Sequence, residues 1–339
     1  MTTYDKLVFT PLEASNAAER YVDWRQENQG GGMPLYIKSL EYRENKDGSA
    51  DGFVPVLPGE LISVIGRPGN GKTGFMLRWA RERAHWLQQQ AELGNETAKN
   101  SVVVYVTLEQ TVEELRLFHM AAENKFSMSS IANGKLSADQ WGGVKKNLRK
   151  LHPVPLWFIG RSMDRRKHKI ETSPDNIFAA LESIERWQGD NITQSIDSVF
   201  IDYLQKFIPE GNNFVEFYGK TTNKIKDWAG KLMTRVVMGI QAKREVDERK
   251  IQIPMMEDGQ WTSSIEHFSD GVLSVVRPSH YRKEGEEFGG VVVTGRNQML
   301  VSCLKRKLGP ADFNGWVNFQ PEYNKLDELE LRNFKPNED

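Results

Sequence analysis

The segment Val64–Phe75 combines glycines with a lysine and a threonine in a spacing that suits phosphate binding. Within its sequence, VIGRPGNGKTGF, Gly66, Gly71, Lys72 and Thr73 fit the pattern G-x-x-x-x-G-K-[ST] between an apolar run and a helix-like run. Glycines allow a tight turn whose backbone N–H groups face an anion, and the positive end of the following helix adds to this attraction. The segment therefore predicts a nucleoside triphosphate site.

The order of strand, loop and helix favours this interpretation over a glycine-rich turn that happens to contain a lysine. Lys72 would reach the β- and γ-phosphates, and the Thr73 hydroxyl would ligate Mg²⁺. The predicted nucleotide-binding residues are Gly66, Arg67, Pro68, Gly69, Asn70, Gly71, Lys72, Thr73 and Gly74.

Hydrolysis needs further groups, and three apolar runs end in suitable residues. Asp202 ends SIDSVFID and would hold Mg²⁺ through a water. Glu109 ends VVVYVTLE, on a strand expected beside that of the P-loop, where a carboxylate can act as base on the attacking water. Gln241 follows RVVMGI and would sense the γ-phosphate. A polar strand end or a helix cap is the structural alternative for each residue.

The elements that must position these residues alternate as in a parallel α/β sheet. Strands are predicted at 61–65, 102–108, 155–159, 197–202, 235–240, 271–276, 290–294 and 299–305. Helices are predicted at 73–93, 111–124, 137–150, 174–188 and 214–233. The last strands follow one another without helices. The pattern predicts a mostly parallel twisted sheet flanked by helices, with an antiparallel hairpin at its C-terminal end.

An amphipathic helix is predicted at residues 10–28, followed by the glycine-rich joint QGGGMP. It would pack either on a neighbouring subunit or back on its own domain. The predicted organisation is a linker helix and joint at 1–33, an ATPase domain at 34–325 and a polar tail at 326–339.

Composition predicts a globular protein of the cytoplasm. The chain has 339 residues, 45 Lys and Arg against 46 Asp and Glu, and one cysteine, so a balanced charge gives no general attraction to nucleic acid. The single cysteine excludes an internal disulfide. Neither a membrane-spanning apolar run nor an N-terminal signal is expected.

A set of motifs resembles the RecA-like motor domain of the DnaB family of replicative helicases over about residues 34 to 325. These motifs are GRPGNGKTGF, VTLEQ, VFIDYLQKF, GIQAKREVDERK, PMMEDGQWTSSIEHFSDGVLSV and LKRKLGPADFNGWVNF. The resemblance implies a RecA-like P-loop NTPase core, a hexameric ring around single-stranded DNA, ATP sites between subunits, and replication or mobile-element partner proteins. It makes Glu109 the catalytic base, Asp202 the Walker B acid and Gln241 the coupling glutamine.

Two departures from the family pattern affect these expectations. The family typically carries Lys-x-Arg on the last hairpin, whereas this chain has Lys305, Arg306 and Lys307. Alternate strand residues face opposite sides, so the two lysines are expected to point together to the neighbour's γ-phosphate and Arg306 to point away; the alternative is that Arg306 swings in to replace the arginine. Only about thirty residues precede the motor domain, where the family has a primase-binding domain, so primase recruitment in the usual way is not expected.

Contacts to DNA are predicted in the loops after Asp202 and Gln241, although a solvated surface would look similar. The predicted DNA-contacting residues are Lys206, Asn212, Asn213, Lys220, Lys243, Arg244, Arg249 and Lys250. The basic run at 161–169 and Trp261 are further candidates. The leading function is a helicase or translocase on single-stranded DNA. The alternatives are a RecA-like regulatory or assembly NTPase without unwinding activity, and a DNA-binding filament.

Overall fold

The computed structural model describes residues 10–27, 32–44, 50–164, 173–185, 188–189, 192–193, 195–209, 211–260 and 265–328. The prediction for Trp261, most of the basic run at 161–169 and residues 329–339 of the predicted tail lie outside these ranges. No helix within them is both long and apolar enough to cross a bilayer.

Within the described residues, nine strands form one sheet around which the site is built. The strands are β1 (Leu61–Gly66), β2 (Ser101–Thr111), β3 (Leu156–Arg161), β4 (Ser195–Asp202), β5 (Arg235–Gln241), β6 (Gly271–Val276), β7 (Gln298–Arg306), β8 (Phe313–Gln320) and β9 (Lys325–Glu328). Their order is β9-β8-β7-β6-β1-β5-β4-β2-β3. The pairs from β6 to β3 are parallel, and those from β6 to β9 are antiparallel. The predicted mixed α/β fold is confirmed.

Helices connect the parallel strands, as predicted. The main helices are α1 (Pro11–Glu27), α2 (Lys72–Glu92), α3 (Val112–Asn124), α4 (Ala138–Lys150), α5 (Pro174–Glu185) and α6 (Phe214–Leu232). Short helices are found at Lys38–Glu41, Glu96–Lys99, Met128–Ala132 and Ile265–Phe268. In α1, Leu12 and Val22 are 71% and 61% exposed, so these side chains do not pack back on the ATPase domain.

Helix α2 is the element that anchors the P-loop, because the loop leads directly into it. Trp79 of α2 is buried, with its ring centroid 6.1 Å from that of Phe75 and 5.9 Å from that of Phe200 on β4. Aromatic pairs in this edge-on geometry stabilise a core beyond their area burial alone. The apolar face of α2 therefore fixes the start of the helix over the sheet.

A buried ion cluster locks α2 to the strands that carry the other predicted site residues. Arg83 of α2 donates to Asp197 of β4 from Nε at 2.9 Å and from Nη2 at 2.6 Å. Arg235 of β5 donates to the same carboxylate at 3.0 Å. Although burial raises the pKa of Asp197, the Arg83 and Arg235 guanidiniums outweigh this effect and hold the pKa below its usual value. The carboxylate thus stays ionised and ties the three elements together.

The antiparallel half of the sheet differs in detail from the prediction. The strand predicted at 290–294 is only Val291–Val292, which pairs with Glu287–Phe288 outside the main sheet. Strands β8 and β9 were not predicted individually, and residues 326–328 belong to β9 rather than to a tail. The Leu326 side chain is 3% exposed and joins the core, which is why the sheet continues through this polar-looking segment.

A histidine cluster lies where α2 and α3 pack together. The Nε2 atoms of His85 and His119 lie 2.7 Å and 2.6 Å from Oε1 of Glu123. Nη1 of Arg116 lies 3.5 Å from Nδ1 of His119, and a guanidinium can only donate, so Nε2 of His119 carries the proton donated to Glu123. Burial lowers the pKa of His119 to about 4.

We expect this cluster to make the free energy of unfolding pH-dependent. The pKa of His119 is below its unfolded value of about 6.5, so the unfolded chain binds a proton that the folded chain does not, and stability falls as the pH drops from about 6.5 towards 4. His119→Gln keeps an N–H donor without titrating. Between pH 7 and pH 4 it should lose about 3 kcal/mol less than the wild type in urea unfolding. His152→Gln, at an exposed histidine, is the control, and equal pH profiles for His119→Gln and the wild type would contradict the prediction.

Candidate nucleotide-binding and catalytic site

The P-loop at residues 66–74 lies between β1 and α2 and lines a cavity of about 520 Å³. Gly69 and Gly71 have φ values of +79° and +87°, which side chains rarely tolerate. A Cβ atom on Gly71 would lie 2.4 Å from Cε of Met299. The backbone conformation therefore favours glycine at this turn, and a side chain on Gly71 would also require the Met299 side chain to move.

Lys72 and Thr73 line this cavity, and the buried Asp202 lies close to both of them. The Lys72 side chain is buried, with Nζ 4.2 Å from the centroid of the Tyr203 ring. Tyr105 donates its hydroxyl to Oδ2 of Asp202 at 3.0 Å, and Thr73 lies close enough to stabilise the same carboxylate. Among the described residues, Oδ1 of Asp202 has no hydrogen bond of ordinary geometry although it is buried. A buried oxygen of this kind needs a further polar partner.

The electrostatics of the pocket residues favour the neutral forms of Asp202 and Lys72. Burial raises the pKa of Asp202, against the opposing effects of the Lys72 charge and of Thr73 and Tyr105. Burial likewise lowers the pKa of Lys72, which Asp202 and Glu109 oppose. A bound polyanion next to Lys72 and a bound cation next to Asp202 would each favour the charged form. The pocket thus has the charge arrangement of a site for both ligands.

Glu109 lines the cavity, but not by the route expected from the sequence. Its strand β2 lies between β4 and β3, whereas the P-loop strand β1 is flanked by β5 and β6. The expectation that Glu109 lies on the strand beside the P-loop is wrong. In the β2–β4 ladder Thr107 pairs with Asp202, so Glu109, two residues further on, projects past the end of β4 into the opening. The carboxylate of Glu109 reaches the site because β2 is long, and not because β2 lies next to β1.

Gln241 ends the strand that does adjoin the P-loop strand. It pairs in register with Gly66 and lines the same cavity. Its backbone N–H donates to Oε1 of Gln205 at 3.0 Å, and its carbonyl accepts from the Gln260 N–H at 2.8 Å. Two neighbouring segments therefore hold the backbone of Gln241 and leave its side chain directed at the pocket.

Three of the predicted DNA contacts have partners within the chain instead. Nζ of Lys206 lies 3.2 Å from Oε1 of Glu109, at the cavity. Arg249 pairs in a bidentate manner with the buried carboxylate of Asp258, at 2.7 Å and 2.5 Å. Asn213 caps α6 by accepting from the Glu216 N–H at 3.2 Å. Lys206, Arg249 and Asn213 thus have partners within the chain, and their contact with DNA stays a prediction.

The rest of that set is exposed. Lys220 pairs with Glu216 at 2.6 Å on the surface of α6, a contact that contributes little to stability. Nζ of Lys243 donates to the carbonyl of Glu257 at 2.9 Å. The exposed residues of the set are Asn212, Asn213, Lys220, Lys243, Arg244 and Lys250, and for these too DNA contact stays a prediction.

The basic residues at the end of β7 divide between two sides, as the alternation of a strand requires. Arg306 is buried and donates to the carbonyls of Val54 and Pro55 at 2.9 Å and 2.8 Å. Its Nη2 also pairs with Oε2 of Glu60 at 2.7 Å, so the guanidinium makes its contacts within its own chain. Lys305 donates to the carbonyl of Glu266, and Lys307 is exposed with Nζ 3.6 Å from Oδ1 of Asp270.

Neither lysine lies at the cavity of its own chain. Arg306 pairs with Gly271 at the N-terminal end of β6, whereas the P-loop follows the opposite end of the neighbouring parallel strand β1. The length of Gly271–Val276 separates the two edges by about 16 Å, at ~3.3 Å per residue. Lys305 and Lys307 therefore lie at the edge of the sheet opposite the P-loop.

An aromatic and polar wall completes the cavity, and sequence reasoning missed it. Phe319 at the end of β8 is buried beside the P-loop, and the Arg277 guanidinium lies 5.6 Å from the centroid of its ring. Other residues of this wall are Phe118, Pro321 and Asn324. The alternation of Phe313, Val317 and Phe319 with Asn314, Asn318 and Gln320 in the sequence is the signal that would have predicted β8.

Comparison with known proteins agrees with this geometry. The family described as "DnaB-like helicase C terminal domain" matches residues 47–328. The replicative DNA helicase DnaB of Geobacillus stearothermophilus is 26% identical over 282 residues, which cover 80% of this chain and 53% of the relative. The replicative DNA helicase DnaC of Bacillus subtilis (strain 168) gives the same identity and coverage. The chain thus spans about half the length of the curated relatives it matches.

Solved structures show the same fold at lower identity. A structure described as a DnaB-like replicative helicase and its interactions with primase superposes with a TM-score of 0.69 at 20% identity, covering 93% of this chain and 67% of that one. An ATPase domain matches with the same TM-score and identity, and 98% of its length is covered. With the family match spanning most of its length, the chain belongs to the DnaB-like helicase C-terminal domain family.

Proposed function

We propose that the protein is an ATP-hydrolysing motor that acts on single-stranded DNA, a DnaB-like hexameric helicase or translocase with ATP sites between subunits. The observation that carries this proposal is the convergence on one open cavity of Lys72, Thr73, Glu109 and Gln241, with Asp202 buried behind them. A cradle, a base and a sensor for the terminal phosphate are the parts that nucleotide hydrolysis needs.

Each of these side chains has a defined task in the proposed mechanism. The P-loop N–H groups and Lys72 hold the β- and γ-phosphates and stabilise the charge that shifts between them during hydrolysis. Glu109 accepts the proton of the attacking water, and its ion pair with Lys206 orients the carboxylate. Gln241 contacts the terminal phosphate and connects this contact to the segment that follows it.

Thr73 and Asp202 fit a Mg²⁺ site. The buried Oδ1 of Asp202 has no hydrogen bond of ordinary geometry among the described residues, and a hydroxyl and a carboxylate are oxygen ligands that Mg²⁺ accepts while it keeps several waters. When bound with the nucleotide, Mg²⁺ would neutralise phosphate charge. Thr73 and Asp202 hold the donor oxygens in place for it.

The proposed assembly follows from the location of the basic strand end. Because Lys305 and Lys307 lie at the sheet edge opposite the P-loop, a head-to-tail contact brings them to the neighbouring subunit's cavity. Head-to-tail contacts close into a ring or continue as a filament, according to the rotation between subunits. The family relationship favours the ring.

A regulatory or assembly NTPase is the second candidate. The observation that favours it is that the cations Lys206 and Arg249 are paired with carboxylates within the chain, which leaves fewer unpaired basic residues for DNA. In this alternative ATP sets the oligomeric state and no duplex is opened.

ATP turnover with and without single-stranded DNA separates the two candidates. A motor should be stimulated several-fold by the DNA, with the effect weakening at higher salt because phosphate contacts release counterions. Turnover that ignores DNA would support the assembly NTPase, and absence of turnover with Mg²⁺ would contradict both. Unwinding of a forked duplex then divides helicase from translocase, and electron micrographs with a hydrolysis-resistant nucleotide divide ring from filament.

A further inference from the structure

One carboxylate outside the catalytic set connects the P-loop to the segment after Gln241. Asp247 lies in the short 3-10 turn Arg244–Glu248. Its Oδ2 atom accepts from Arg67 of the P-loop, with Nε at 2.9 Å and Nη2 at 2.7 Å. Its Oδ1 atom accepts the hydroxyl hydrogen of Tyr281 at 2.9 Å. The Asp247 carboxylate thus accepts three charge-assisted hydrogen bonds.

Both partners of Asp247 are connected to the P-loop. Arg67 is a residue of this loop, and its Nη1 also donates to the carbonyl of Ala242, directly after Gln241, at 3.0 Å. The Tyr281 hydroxyl accepts from Nδ2 of Asn70 at 3.2 Å, and Oδ1 of Asn70 accepts the Arg277 N–H at 2.7 Å. Two hydrogen-bonded connections therefore lead from the nucleotide cradle to Asp247.

The Arg67 guanidinium lies between two places for an anion. It lines the nucleotide cavity, yet it is paired with Asp247, and the two side chains are only 13% and 38% exposed. A guanidinium binds phosphate oxygens with the same planar fork that it offers a carboxylate. The phosphates of a bound nucleotide and the carboxylate of Asp247 can therefore accept hydrogen bonds from the same N–H groups of Arg67.

We propose that Asp247 competes with the phosphates of the bound nucleotide for Arg67, so that the nucleotide state of the P-loop decides how firmly the segment Lys243–Lys250 is held. Tyr281 retains the second carboxylate oxygen and limits how far the segment moves. Burial, together with Asp247, raises the pKa of Tyr281 to about 12, so its hydroxyl remains a donor at any working pH. This inference rests on the proposed function, because it regulates the same nucleotide site.

Competition of this kind works in both directions. Whatever weakens the Arg67–Asp247 pair must tighten nucleotide binding by the same factor that nucleotide binding weakens the pair. Lys243, Arg244 and Lys250 are exposed on the same segment. A polyanion that draws these residues outwards would thereby release Arg67 to the nucleotide, which gives DNA a direct route to the ATP site.

Asp247→Asn tests the proposal, with Glu248→Gln as the matched control. The first change removes the charge that holds Arg67 at nearly constant shape, and the second removes a charge from an exposed neighbour in the same turn. We expect Asp247→Asn to bind a fluorescent hydrolysis-resistant ATP analogue about fivefold to tenfold more tightly than the wild type, and Glu248→Gln to bind as the wild type does. Tyr281→Phe removes the hydrogen bonds to Asp247 and from Asn70 but no charge, and its affinity should fall between those of the two variants.

Trypsin cleavage reports the segment itself, since its basic residues are cleavage sites. Nucleotide should raise the rate of cleavage at Lys243–Lys250 in the wild type by about fivefold, whereas Asp247→Asn should be cleaved at that higher rate without nucleotide. Equal nucleotide affinities for Asp247→Asn and Glu248→Gln, or wild-type cleavage that ignores nucleotide, would overturn the competition. Thermal melting of each variant shows that the fold is intact.

The proposed function is tested by a different measurement, the stimulation of wild-type ATP turnover by single-stranded DNA. Absence of stimulation together with tighter binding by Asp247→Asn would reject the motor and support the competition. Stimulation together with identical behaviour of the two variants would reject the competition alone.

Discussion

Replacement of Lys72 by alanine is expected to weaken ATP binding by about 100-fold or more and to stop turnover. Lys72 is the buried cation at the start of α2, and each charge-assisted hydrogen bond that it makes to a phosphate contributes roughly 1.5–3 kcal/mol. Two such bonds account for the predicted loss of affinity. Titration of a fluorescent ATP analogue measures it directly.

The fold of the Lys72→Ala protein should be intact, because burial already disfavours the charge of Lys72 when no nucleotide is bound. Its melting temperature without nucleotide should match that of the wild type, and the stabilisation that nucleotide gives to the wild type should be absent. Lys231→Ala, which changes an exposed lysine of α6, is the control. Nucleotide affinity that matches the control would remove Lys72 from the site.

Glu109→Gln is expected to separate nucleotide binding from turnover. The amide cannot accept a proton from water, so turnover should fall by about 10²–10³-fold, which corresponds to roughly 3–4 kcal/mol in the barrier. Binding of the ATP analogue should stay within about twofold of the wild type, since Glu109 contacts water rather than phosphate in the proposed mechanism. Steady-state turnover and analogue titration on the same sample provide the two numbers.

Glu322→Gln is the matched control for Glu109, because it removes an exposed carboxylate next to the cavity residue Pro321. It should keep wild-type turnover. If Glu109→Gln also keeps it, the catalytic base is another group. If both binding and turnover are lost, the pair that Glu109 forms with Lys206 supports the cradle rather than the chemistry.

The sequence predicted the P-loop and the strand ends because these features depend on local patterns. Glycines at fixed spacing before a helix, and apolar runs that end in Asp202 or Gln241, carry their structural meaning within about ten residues. The parallel half of the sheet follows from the alternation of strands and helices. The bounds of the main helices agree within a few residues for the same reason.

Features that depend on contacts between residues distant in the chain could not be predicted from the sequence. The order of strands places the strand of Glu109 beside that of Asp202 rather than beside the P-loop strand, and no local pattern encodes that order. The partner of Arg249 lies nine residues away on a turn, and the partner of Lys206 lies on another strand, so both looked like free surface charges. Phe319, in the aromatic and polar wall, lies on β8, a strand that two others separate from the P-loop strand in the sheet.

The central claim is that one protomer's P-loop and the next protomer's lysines make a single ATP site. Its most direct test is turnover by mixtures of two inactive proteins, Lys72→Ala and the double variant Lys305→Ala/Lys307→Ala. In mixed rings about a quarter of the interfaces would join an intact P-loop to intact lysines. Native mass spectrometry verifies that mixed oligomers form. We predict that each variant alone is nearly inactive and that an equal mixture regains a measurable fraction of wild-type turnover, up to about one quarter. A mixed oligomer no more active than the sum of its parts, or a lysine variant with full activity alone, would contradict the claim.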